Sequence, residues 1–379
     1  MALFRRLDPK EYDISLYVLT GQGEMISQLP DYVHLLNEEY LDCSVLSREG
    51  KKRLQKTVLH ALFRRGNGIR LLPYLCANGM RMLAKGRLLY DKLLWRVLAD
   101  AGERFDAEYD LAVAYLEGGS TYYVTDWVKA KKKAAFVHVD YGQAGYTRSL
   151  DRECYLKLDK IFPVSDEVRE AFLKVYPECE ARTEVFHNIL DTERILRMSG
   201  EGEGFSDDFA GIRLLSVGRL TTQKAFEVSI DAMKLLKDSG ENVRWYVLGE
   251  GDQRAKLEEQ IRKLGLEEDF LLPGAVSNPY PYMRQADIYV HASRFEGKSI
   301  AIQEAQVLGK PIVASDCSGN REQVISGVDG LLCELTPEAV CACIRELIED
   351  EEKRLRFGQV AAGKNEKNTS ELVKLLSML

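Results

Sequence analysis

The stretch ASRFEGKSIAIQEAQVLGKPIVASD, residues 292–316, decides how the second half of this chain folds. Just before and into it runs DIYVHAS (287–293), a mostly apolar segment of strand length. RFEGK breaks that segment, Ser299 stands as a helix N-cap, and IAIQEAQVL runs as a helix up to Gly309 and Pro311, which stop it. A second strand, PIVASD (311–316), follows at once. Strand, turn, helix and strand in this order make a parallel βαβ unit. The backbone N–H groups of Gly297, Lys298, Ser299 and Ile300 then point out of the carboxyl end of a parallel strand, where open α/β sheets bind ligands and a helix start favours an anion.

The same rhythm extends along the chain. Strand candidates are YDISLYVL (12–19), YDLAVAYLEG (109–118), KAAFVHVD (133–140) and KIFPVS (160–165), then IRLLSVGR (212–219) and VRWYVLGEG (243–251) before the opening stretch. Amphipathic segments separate them, so the expected class is α/β: two Rossmann-like doubly wound domains facing a cleft. SGEGEGFSDDFAG (199–211) is rich in Gly, Ser and acid and reads as the hinge. It divides an N-terminal domain (1–198) from a C-terminal domain (212–364), and the last segment, 365–379, reads as an amphipathic helix crossing back to the N-terminal domain.

At 379 residues the chain is too long for one ordinary core. Its 52 basic and 59 acidic residues give a net −7, and 45% of residues are hydrophobic, a globular composition without a bias toward nucleic acid. The eight cysteines form no C-x-x-C pair and read as free thiols of a reducing cytoplasm. MALFRRLDPKEYD lacks a signal-peptide core, and no apolar run approaches the roughly 20 residues that span a bilayer. Charge is nevertheless segregated. Residues 51–96 hold twelve Lys or Arg against one acid, Asp91, interleaved with Leu54, Val58, Leu62, Phe63, Leu88, Leu89, Leu93, Leu94 and Trp95. Basic and amphipathic together, this segment suits an anionic membrane surface and peripheral attachment, a solvated helix face being the ordinary alternative.

Two carboxylates flank the helix start, Glu296 in the turn and Glu304 on the helix. Each alone reads as dipole complementation or a solvated glutamate. Beside a bound phosphate they would repel it unless they face hydroxyls, and a sugar nucleotide meets that condition: Glu304 accepts from the ribose and Glu296 from the hexose. Upstream, LLSVGRLTTQKAFE places Arg219 at a strand end and Lys224 at the next helix start, two cations suited to a pyrophosphate. VLGEGDQRAKLEEQI adds a glycine turn at Gly249 and Gly251, and the loop of LPGAVSNPYPYMRQADIYV, at Val276, offers backbone to a base.

In that order these motifs resemble the retaining glycosyltransferases of family 4, which have the GT-B fold; the resemblance covers about residues 210 to 335. Arg219 and Lys224 match the family's phosphate pair, Glu296 and Glu304 its paired glutamates, and GKPIVASDCSG…EQVISGVDGLLC follows as in the family. The resemblance implies a nucleotide-diphosphate sugar donor, uridine by the family's habit, a front-face displacement assisted by the leaving phosphate, and no cofactor or metal; no Asp-x-Asp occurs. EGKSIAIQEA and SNPYPYMRQAD look most like bacterial capsule and exopolysaccharide enzymes, whose likeness implies a glycan or polyprenyl-linked acceptor. More weakly, YLEGGST (115–121) and AAFVHVDY (134–141) place His138 and Asp140 near the donor sugar and acceptor.

The chain departs from the family at its start. MALFRRLDPKEYDISLYVL resembles the end of a first helix followed by a second strand, so the first strand and its Gly-Gly turn are missing, and two neighbouring strands should be left with unpaired edges. The start lies upstream, or the acceptor domain is damaged. The second case keeps open a non-catalytic glycosyltransferase-like subunit that binds a nucleotide or partner; a sugar nucleotide epimerase fits the motifs less well. His34, His60, His187 and His291 read as structural.

Overall fold

A computed structural model describes residues 1–45, 47–86, 88–364 and 370–379, without the side chains of Arg48, Arg65 and Ser370. The chain divides into two units, Met1–Ile189 with Thr369–Leu379, and Leu190–Asn368.

The first unit opens with β1 (Ile14–Leu16) and β2 (Val33–Leu35), followed by three helices, α1 (Arg48–Phe63), α2 (Asn67–Ala84) and α3 (Tyr90–Ala101). Then come β3 (Glu108–Ala114), α4 (Gly119–Trp127), β4 (Lys129–Val137), α5 (Arg148–Asp151), β5 (Lys160–Pro163) and α6 (Asp166–Leu173). Its strands form two separate parallel sheets, β1–β2 and β3–β4–β5. A doubly wound sheet runs 3-2-1-4-5-6, and removing its first strand leaves such a pair and such a triplet. Among the described residues β1 pairs only with β2 and β3 only with β4, the unpaired edges anticipated from the sequence.

The second unit contains α7 (Thr192–Met198), β6 (Ile212–Val217), α8 (Phe226–Asp238), β7 (Val243–Leu248), α9 (Arg254–Leu264), β8 (Phe270–Gly274) and α10 (Tyr280–Gln285). It continues through β9 (Ile288–His291), α11 (Ile300–Val307), β10 (Ile312–Ser315), α12 (Ser318–Arg321), β11 (Gly330–Cys333), α13 (Pro337–Glu349) and α14 (Glu351–Gly363). All six strands are parallel, in the order β11-β10-β9-β6-β7-β8. These strands are apolar on both sides because both faces are covered. Leu214, Trp245 and Val313 face the core shared with α8, α9, α13 and α14, while Leu215, Tyr246 and Ile312 face the core shared with α10 and α11. The strand order reverses between β6 and β9, so the turns after these two strands open into one crevice.

The sequence places the hinge at 199–211 or slightly before it, and the two units divide between Ile189 and Leu190. Polar side chains of the second unit hold that segment. Asn278 Nδ2 donates to the carbonyls of Met198 and Glu201, at 2.9 and 3.0 Å. Gln285 donates to the Glu203 carbonyl and accepts from the Phe205 amide, both at 2.8 Å, and Asp207 accepts from Arg213 and the Tyr246 hydroxyl. Residues 365–369, the start of the expected terminal helix, lie outside the described residues. The remainder, α15 (Ser370–Leu376), joins the first unit: Glu371 accepts from the His187 amide at 3.0 Å, Lys374 donates to the Val185 carbonyl at 2.7 Å, and Leu375 packs with Phe136, Phe162 and Phe186.

The basic segment folds as helices with one side packed on the unit. Leu54, Val58 and Leu62 pack inward against α2 and α3, and Leu93 is buried, so of that apolar set Phe63 is the one strongly exposed. Several cations are spent on ion pairs: Arg53 with Glu39, Arg64 with Glu103, Arg70 with Asp100, and Lys92 with Asp91. Arg96 is buried against Asp126 and Asp100. Arg87 lies outside the described residues. All eight cysteines are free. Among the described residues, no helix is long and apolar enough to cross a membrane.

One polar node organises the first unit. Fully buried Asp151 accepts from Tyr122, Tyr141 and Tyr176 at 2.8, 2.6 and 3.0 Å, and its carbonyl accepts from Arg96 at 3.0 Å. Burial raises its pKa to about 6, against the pull of the three hydroxyls and Arg96. The protonated form is therefore the favoured buried form. The stability it contributes is complete below the unfolded value of 3.8 and is lost as pH rises through about 6. Asp151→Asn removes the ionisation and mimics the protonated acid, keeping one acceptor oxygen while its amide nitrogen donates at the other position. Urea denaturation should show the wild type losing stability relative to this variant between those limits, by on the order of 1–3 kcal/mol.

Candidate functional site

The crevice at the β6–β9 junction gathers the predicted residues of the second unit. After β6, residues Thr222–Lys224 form one 3-10 turn, which carries Lys224 into the crevice; Ala225 closes it with φ +47°, a left-handed backbone held by complete burial of its side chain. After β9, residues 292–298 fold back toward that turn. The Arg294 amide donates to the Gln223 carbonyl and Gln223 Nε2 to the Phe295 carbonyl, both at 2.9 Å, and Arg294 also pairs with Glu227.

At the meeting point lies a compact polar cluster. Glu296, buried, accepts through Oε1 from Lys224 Nζ at 2.6 Å and Ser293 Oγ at 2.7 Å, with His291 Nε2 at 3.2 Å. His291 Nε2 also lies 3.3 Å from Lys224 Nζ. Burial would raise the Glu296 carboxyl, yet His291 and Lys224 outweigh it and hold the group far below the usual carboxylate range. Burial and the charge of Lys224 push His291 down, so this imidazole is neutral near pH 7. All three contacts fall on Oε1, and Oε2 makes no hydrogen bond among the described residues. One face of Glu296 thus fixes Lys224 while the other can still accept from a hydroxyl.

The first turn of α11 stands beside this cluster. Ser299 occupies the N-cap position as expected, but its side chain makes no capping hydrogen bond, which leaves the helix-start N–H groups without that partner. Gly297 and Ser299 are buried, Lys298 half-buried and Ile300 exposed. Gly319 of α12 packs on the turn so closely that a Cβ there would lie 1.8 Å from the Gly297 carbonyl oxygen, so only glycine fits. Glu304, part-buried, accepts from the Tyr280 hydroxyl at 2.8 Å, and burial raises its carboxyl despite that bond. It is therefore not the solvated helical glutamate that its position alone permits. Val276 packs at the edge of the core under α10 and α11. Arg219, at the end of β6, is exposed, and its guanidinium makes no ion pair or hydrogen bond among the described residues.

His138 and Asp140 belong to the first unit. The His138 amide donates to Glu117 at 3.0 Å, its Nδ1 lies 3.8 Å from the same carboxylate, and its ring packs on Tyr115 and Phe136. Asp140 accepts from the amide and side chain of Gln143, at 3.0 and 3.1 Å, and so braces its own turn. Four residues escape a reading from spacing alone: Glu117, Tyr280, His291 and Ser293. His291 reads as structural from the sequence, whereas the structure sets it inside the cluster. A polar residue ending an apolar strand five positions before a glutamate was the available signal.

Residues 210–364 match the family of glycosyl transferases group 1, and this part of the chain is a domain of that family. The chain is 32% identical over 205 residues to the N-acetylgalactosamine-N,N'-diacetylbacillosaminyl-diphospho-undecaprenol 4-alpha-N-acetylgalactosaminyltransferase of Campylobacter jejuni, covering 54% of each chain. It is 32% identical over 160 residues to the amylovoran biosynthesis glycosyltransferase AmsD of Erwinia amylovora, covering 41% of this chain and 45% of that one. The matches thus span about half the length of these curated relatives. A glycosyltransferase of Rickettsia africae superposes over 100% of this chain and 92% of its own with a TM-score of 0.63 at 15% identity. HepE of Anabaena, in complex with UDP and glucose, does so over 65% and 70% with a TM-score of 0.57 at 20% identity. The fold is of the GT-B class.

Lys224→Ala removes the only cation bonded to Glu296 among the described residues, so the variant should lose roughly 3 kcal/mol in chemical denaturation at pH 7. Adding Glu296→Gln should restore much of the loss, because no unpaired buried charge then remains; a double variant no more stable than Lys224→Ala would contradict that coupling. Glu296 is depressed, so its contribution is present above about pH 4.5 and lost on acidification, and Glu296→Gln should flatten that acid limb.

Proposed function

We propose that this chain is a retaining, metal-independent glycosyltransferase that moves a hexosyl group from a UDP-linked donor to a glycan or polyprenyl-linked acceptor. The setting is surface polysaccharide assembly at the cytoplasmic face of the plasma membrane. The observation that carries this reading is the Lys224–Glu296 pair beside the uncapped start of α11 at the strand-order reversal. A diphosphate seated there meets Lys224, Arg219 and the amides of Gly297, Lys298, Ser299 and Ile300. Glu296 Oε2 accepts from a hexose hydroxyl, Glu304 from the ribose, and the loop at Val276 receives the base. The relatives' names, one for transfer to a diphospho-undecaprenol carrier and one for amylovoran biosynthesis, support the acceptor class.

Catalysis then consists of stabilising charge on the departing diphosphate. The bond from the anomeric carbon to the phosphate oxygen breaks, the acceptor oxygen bonds to the same face, and the acceptor proton passes to the leaving diphosphate. No protein nucleophile takes part. Glu296 holds Lys224 and orients the sugar, and neutral His291 fixes the carboxylate without adding charge. His138 and Asp140 serve the acceptor side, His138 steadied by Glu117.

The test is transfer from a panel of UDP-linked sugars to a polyprenyl-diphosphate-linked saccharide, with the product anomer assigned by NMR. The expected product keeps the donor configuration. Lys224→Ala, assayed where it remains folded, should lose roughly a hundredfold or more in kcat. An inverted product would overturn retention. Tight UDP binding with neither transfer nor hydrolysis would favour the non-catalytic subunit.

A further inference from the structure

Between positions 59 and 83 six large apolar side chains are exposed, Leu59, Phe63, Ile69, Leu72, Met80 and Leu83, the densest such group among the described residues. On α2 they are ordered. Ile69, Leu72, Pro73, Cys76, Met80 and Leu83 are all exposed, at spacings of three and four that repeat along one side of a helix. The opposite side carries Leu71, Tyr74, Asn78 and Met82, all buried. An 18-residue helix apolar on both sides has one side too many for a water-facing element. Helix α1 adds Leu59 and Phe63 on the side bearing Lys52 and Lys56. Both helices pack on α3 through Leu54, Val58, Ala61, Leu71, Val97 and Leu98, so their exposed sides turn away from that seam.

We infer that this surface inserts into the interface of an anionic lipid bilayer. No Asp or Glu occurs between Glu49 and Asp91 in a chain of net charge −7. Of the cations there, Lys51, Lys52, Lys56 and Lys85 are exposed and free of ion pairs among the described residues, while Arg53, Arg64 and Arg70 are engaged by acids. An apolar stripe with unneutralised lysines around it complements a surface that is greasy below and negative above. A second copy of the chain fits less well, since a twofold interface would set lysines against lysines. Insertion of the apolar side chains, rather than attraction of a basic face alone, is the main contact. The inference is independent of the catalytic reading and can fail without it.

Two vesicle preparations test it, phosphatidylcholine alone and phosphatidylcholine mixed with phosphatidylglycerol, with the full chain sedimented against each. Binding is expected to the mixed vesicles. Ile69→Glu with Met80→Glu, at side chains 85% and 65% exposed, should leave thermal unfolding unchanged yet weaken binding at least about tenfold. Lys52→Gln with Lys56→Gln should weaken it less and reduce its salt dependence. Cys76, the exposed cysteine of the eight, takes an environment-sensitive thiol fluorophore whose emission should shift to the blue on the mixed vesicles. Three results overturn the inference: no sedimentation with either vesicle, unchanged binding by the glutamate variant, or a concentration-dependent dimer abolished by that variant in the absence of vesicle binding.

Discussion

Parallel pairing between β6 and β9 carries the candidate site. Leu214 pairs with Ile288 and Leu215 with Tyr289, and Ser216 Oγ donates to the Val290 carbonyl at 2.6 Å while accepting from Trp245 Nε1 at 3.0 Å. This seam joins segments 74 positions apart in sequence. Because neighbouring strands lie about 4.8 Å apart, the turns that leave them must share one space. Lys224 and Glu296 meet there for that reason, and the contact of Gly319 with Gly297 keeps the second turn from swinging away.

Much of the second unit was legible because its strands are short apolar runs bounded by glycine and polar turns, and because both faces of its sheet are covered. The strands β2, β8 and β11 were not singled out: VHL is three residues long, and FLLPG and GLLC carry Pro, Gly or Cys that blur a strand pattern. In the site, positions with an evident electrostatic role could be named in advance, as with Lys224 and Glu296. The partners that hold them could not. Nothing in the spacing of His291 or Ser293 says that three donors converge on one carboxylate oxygen, and nothing in SNPYPYM says which tyrosine meets Glu304. Such contacts depend on where a strand end stops and which way a side chain turns, and both are settled by packing.

The same limit governs the basic segment. Composition registers twelve cations and cannot tell a cation that faces water from Arg96, which is buried against Asp126 and Asp100. It also overlooks α2, whose outward residues look like core when read in a line. In the first unit the β1–β2 pair and the β3–β4–β5 triplet are separate sheets, and buried side chains also tie its segments together. The three tyrosines on Asp151 join α4, the segment after β4 and the segment after α6 through one buried acid.

The assignment of α15 to the first unit has a consequence for how the protein is made. Leu375 belongs with Phe136, Phe162 and Phe186, and the His187 amide finds its acceptor on Glu371. During translation, residues 1–189 therefore emerge with one side of their core uncovered, and it stays so while the whole second unit passes through the ribosome. The six-stranded sheet of the second unit draws all its strands from one continuous stretch of the chain. The core of the earlier-made unit is thus completed by residues that are made after the later one.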